Sequence, residues 1–102
     1  MTHRELLELA AKACGLEDAK MRIEFNQWNP LADDGDALRL AVKLRLRVFT
    51  PTSDTDVAIA SSGDVRTTGH VRKYSEDEYT DPYAATRRAI VRAAAEIGKG
   101  MK

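Results

Sequence analysis

The stretch Asp33-Asp34-Gly35-Asp36-Ala37-Leu38-Arg39-Leu40-Ala41-Val42-Lys43-Leu44-Arg45-Leu46-Arg47-Val48-Phe49 decides the fold, because it carries two periodicities at once. Leu38, Leu40, Val42, Leu44, Leu46 and Val48 alternate with Arg39, Ala41, Lys43, Arg45 and Arg47, the pattern of a strand with one apolar face. Ala37, Leu38, Ala41, Leu44 and Val48 also fit helical spacing, and Ala, Leu, Arg and Lys are strong helix formers. The aspartates just upstream favour a helix start, as caps and as negative charge near the positive helix end. The balance predicts a helix over about 34–44 that passes almost directly into a strand over about 45–50.

Upstream, Thr2 and Glu5 have capping-box spacing, and Leu6, Leu7, Ala10, Ala13 and Cys14 form an apolar stripe. A helix over about 2–14 follows, ended by Gly15 with Leu16 folding back. Met21, Ile23 and Phe25 alternate with Arg22 and Glu24, which predicts a short strand. Trp28-Asn29-Pro30-Leu31 then reads as a turn whose Trp28 and Leu31 plug the loop into the core.

Downstream, Pro51 to Asp54 is a turn, and Val57 to Ala60 is a strand. Ser62-Gly63-Asp64 closes a hairpin with a partner strand over Val65 to Tyr74. Ser75-Glu76-Asp77-Glu78 reads as an acidic connecting loop. Asp81 and Pro82 open the last helix as cap and first residue. Tyr83, Ile90 and Ile97 lie a heptad apart on its core side, Arg87, Arg88, Arg92 and Glu96 take the wet side, and Gly98 ends it.

The predicted fold is therefore α+β, one domain over 1–102, with a mostly antiparallel sheet of about four strands and three helices. Their order is helix-strand-helix-strand-strand-strand-helix.

Three blocks of the chain resemble small phage and prophage proteins. They are Arg4 to Ala13, then Trp28-Asn29-Pro30-Leu31 with Asp33 to Leu44, then Asp81-Pro82-Tyr83-Ala84-Ala85-Thr86-Arg87-Arg88-Ala89-Ile90-Val91-Arg92-Ala93-Ala94-Ala95. Together they cover about half the chain and resemble the phage "ABA sandwich" domain family. That resemblance implies an alpha-beta-alpha sandwich and an uncharacterised phage or prophage accessory protein in the bacterial host cytoplasm. It brings no catalytic residues with it.

Composition narrows the function further. Sixteen Lys and Arg balance sixteen Asp and Glu, so no net field steers the chain towards nucleic acid or anionic lipid. Cys14 is the only cysteine, which rules out an intramolecular disulfide and reads as a small core side chain. No apolar run approaches the ~20 residues of a membrane span, and the first residues do not read as a signal peptide, so a cytoplasmic protein is expected.

The aspartates at 33–36 do not have calcium-loop spacing, and helix capping accounts for them without a metal. His3 and His70 are too far apart in sequence to suggest a ligand pair. No nucleophile elbow, phosphate-binding glycine loop or zinc-protease helix occurs, so no catalytic residue, cofactor or metal is assigned and an enzyme is not expected.

One candidate surface remains. Arg45, Arg47, Arg66, His70 and Arg72 fall on the polar side of the predicted strands and would merge if those strands are neighbours. Alternating charge on a strand is ordinarily a solvated face that guards an exposed sheet from aggregation; otherwise it suits a protein partner, or alternatively nucleic acid through phosphate contacts, with Phe49 available for stacking.

Overall fold

The computed structural model describes residues 2–51, 57–62, 65–70, 73–75, 78–79 and 82–101. Helix α1, His3–Cys14, is capped by Thr2, whose side chain accepts the Glu5 N–H at 3.1 Å. Helix α2 is Ala19–Glu24, and α3 is Asp34–Lys43, capped by Asp33, whose carboxylate accepts the Asp36 N–H at 2.7 Å.

All three end in one device, a Schellman motif, in which a left-handed residue lets the next N–H reach five residues back. In α1 the left-handed residue is Gly15, and Leu16 N–H donates to the Ala11 carbonyl at 3.0 Å. In α2 it is Asn26 (φ 54°), and Gln27 N–H reaches the Arg22 carbonyl at 2.7 Å. In α3 it is Arg45 (φ 56°), and Leu46 N–H reaches the Ala41 carbonyl at 2.9 Å. A side chain with a Cβ is disfavoured in that conformation, so Arg45 is held there against its local preference.

The helix at 34–43 and its passage into a strand agree with the sequence. The strand expected at 21–25 does not exist; those residues lie in and just after α2. Their two-residue alternation is spurious. Ala19 and Ile23, four apart, pack against the core, while Met21 and Phe25 are exposed, Phe25 by 66%. In so short a window the two periods overlap, and helical spacing served the core better.

Strands β1 (Arg47–Phe49), β2 (Val57–Ser62) and β3 (Val65–His70) form an antiparallel sheet in the order β1-β2-β3. Strands β4 (Lys73–Ser75) and β5 (Glu78–Tyr79) pair separately. The expected four-stranded sheet is therefore a three-stranded sheet plus a short separate ladder, in which Ser75 and Glu78 of the expected acidic loop pair with each other. Among the described residues the order is three helices, five strands and a fourth helix, α4, Pro82–Lys99.

Helix α4 packs broadly on β2 and β3, while α1 and α3 pack on α4. The layers run sheet, α4, α1, which is not an alpha-beta-alpha sandwich: the second helix layer stands behind the first instead of across the sheet. The cause is the composition of α4. Ala85, Ala89, Val91, Ala93, Ala94 and Ala95 are all essentially buried, so small residues line most of its circumference and neighbours approach from several sides. Ala58 and Ala60 of β2 meet it from the sheet and are fully buried.

Gly98 does not end this helix, which continues through Lys99. It marks the closest approach of α1, since a Cβ there would stand 2.1 Å from the Leu9 carbonyl oxygen. The Asp81 cap lies outside the described residues.

Candidate functional site

The aspartates at 33–36 organise the loop before α3. Asp36 accepts the Asn29 N–H at 2.9 Å and Arg39 at 2.7 Å. Asp34 pairs with Arg87, whose Nε donates to the Leu31 carbonyl at 2.8 Å. Arg87 is thus no wet-side residue: it ties α4 to the 26–33 loop, where, of the expected plug, Trp28 is buried and Leu31 packs only partly buried against the core. With each carboxylate engaged, the cluster is structural, and no group of three metal-ligating side chains occurs among the described residues.

The ladder register gives the backbone positions of three residues of the expected basic surface, Arg47, Arg66 and His70. Register pairs Arg47 with Ser61 and Ser61 with Arg66, so the two arginines occupy one row across the sheet. Phe49 pairs with Ile59, and His70 pairs with Val57 at the far end of β2. Alternation puts all these positions on the face opposite Ala58 and Ala60, hence opposite α4. Arg47 and Phe49 are exposed there, Phe49 by 58%. Arg45 is not part of the face; it sits in the left-handed turn before β1. Arg72 lies outside the described residues.

A second surface was not foreseen. Between α3, β1 and the first turns of α4 lies an open groove of about 610 Å³ lined by Leu38, Ala41, Val48, Tyr83 and Ile90 among others. Leu38 and Tyr83 are 64% and 69% exposed, although both had been read as core. The physical reason is that α3 carries two apolar stripes. Ala37, Leu40 and Ala41 are buried, while Leu38 and Val42, four residues apart, point elsewhere and remain exposed. Tyr83, in the first turn of α4, is exposed, whereas Ile90, a heptad further along the same helix, is buried. A hint existed in the sequence: apolar residues at 37, 38, 40, 41, 42 and 44 exceed what a single buried face takes.

Cys14 is half-buried and donates weakly to the Ala11 carbonyl. Burial pushes its thiol up, and backbone hydrogen bonding from Leu16 and the Lys43 ammonium only partly oppose that.

No family model, curated protein or solved structure matches the chain. Among the described residues, no helix is long and apolar enough to cross a membrane.

Proposed function

We propose that this protein is a non-catalytic accessory protein that binds a protein partner in the groove between α3, β1 and α4. The observation that carries this is the exposure of Leu38 and Tyr83 on opposite walls of one apolar groove. Leaving large apolar side chains in water forgoes about 1.5–3 kcal/mol each, which a partner would recover. The matching occupant is an apolar segment, since Leu38, Ala41, Val48, Tyr83 and Ile90 line the groove. The three blocks that resemble small phage and prophage proteins support an origin there, with action in the host cytoplasm.

The test compares affinity capture by the wild type and by Leu38→Glu/Tyr83→Ala, whose sites are exposed and so leave the fold intact. A partner retained by the wild type should be lost from the variant. Hydrogen–deuterium exchange of the complex should slow at 34–42 and 82–90. Equal retention by both proteins, or protection confined to other segments, overturns the reading.

A second reading, nucleic-acid binding, is favoured by the Arg47–Ser61–Arg66 row beside exposed Phe49. It predicts single-stranded DNA or RNA binding that weakens steeply with salt and is abolished by Arg47→Glu/Arg66→Glu. Absence of binding at low salt retires it.

A further inference from the structure

Helix α3 is a partition, and the side away from the groove faces a second cleft of about 450 Å³. Arg22 from α2 and Lys43 from α3 line it, both exposed, and neither has an ion pair among the described residues. The cleft's other cation, Arg39, is already held by Asp36 at 2.7 Å. Asp36, the carboxylate lining the cleft, is engaged twice, by that guanidinium and by the Asn29 N–H. Charge pairing inside the cleft is thereby complete except at Arg22 and Lys43, which leaves two uncompensated positive charges in its lining, one from α2 and one from α3. The cleft is also lined by half-buried Leu16, which adds a small apolar surface beside those charges, while Trp28 and Leu40 at its wall are nearly buried.

We infer that this cleft binds a small phosphate monoester, its dianion at Arg22 and Lys43 and its organic part against the apolar lining at Leu16, beside Trp28. Two uncompensated cations complement a dianion better than a monocarboxylate, and paired cations on phosphate form strong charge-assisted hydrogen bonds. The volume falls within the range of small-ligand clefts, about 300–1,000 Å³. The inference is independent of the partner groove, since it uses the opposite side of α3.

Trp28 is the only tryptophan, which makes its fluorescence a reporter placed at the cleft. Titration with phenyl phosphate at constant ionic strength, excited at the red edge of tryptophan absorption, should give a saturable change. Arg22→Ala/Lys43→Ala should weaken the apparent affinity by about tenfold or more with the melting temperature unchanged, because each lost charged contact is worth that order. Amide shifts on titration should cluster at 14–16, 22, 27–28 and 39–43. No saturable change, a change equally produced by sodium chloride or benzyl alcohol, or one undiminished in the double variant overturns the inference.

Discussion

Gly98→Ala is expected to destabilise the protein by about 2 kcal/mol or more, although alanine is the better helix former. Two effects of opposite sign compete at this position. Helix propensity alone favours alanine by about 0.8–1.0 kcal/mol, since Gly98 lies inside α4. Against that, the added Cβ would lie 2.1 Å from the Leu9 carbonyl oxygen and 2.9 Å from its carbon. Both are backbone atoms, so no rotamer change relieves the clash and α1 must shift away from α4. Overpacking of this kind costs on the order of 3 kcal/mol when the backbone has to move. The measurement is urea unfolding followed by circular dichroism, read as a midpoint shift at constant m-value. A higher midpoint for the alanine variant would show that α1 does not approach α4 so closely.

Trp28→Ala should cost more, about 3–5 kcal/mol, which is a large share of the roughly 5–15 kcal/mol available to a domain. Trp28 is 9% exposed and belongs to the same buried cluster as Leu40 and Ala37 of α3. The loop beneath it cannot collapse to fill the space, because it is pinned at three points. Asn29 N–H is bound by Asp36, Leu31 N–H by the Asn29 side chain, and the Leu31 carbonyl by Arg87. A cavity in a pinned site keeps its full cost, whereas a free loop would relax into it. Trp28→Phe should lose much less under the same chemical unfolding. Equal losses for the two variants would mean that Trp28 contributes through its indole N–H and not by filling volume.

Much of the helical architecture was readable residue by residue. Thr2, Asp33 and Pro82 mark starts because each solves the unsatisfied N–H groups of a first turn, and Gly15 marks an end because it alone enters the left-handed region freely. The missed or difficult places share a cause. Asn26 and Arg45 do the work of Gly15 with residue types that do not announce it, so α2 was taken for a strand and the α3–β1 join was the hardest boundary to place. Strand alternation sorts positions by face, but that 47, 61 and 66 share one row follows only from the strand order β1-β2-β3. The groove was not legible. Leu38 and Tyr83 lie on helical apolar stripes, and a stripe says which residues avoid water without saying whether anything stands opposite them.

The chain's local chemistry determined the α+β class, three of the four helices, the helix-then-strand course of 34–49 and the antiparallel pairing at 57–70, since caps, turns and short periods act within a few residues. Only the tertiary structure decided that α4 lies between the sheet and α1, that Gly98 is a contact and not a terminus, and that α3 separates an apolar groove from a cationic cleft. Those outcomes depend on which surfaces meet. Alanine-rich α4 is small enough to be approached from several directions, and no local pattern ranks them.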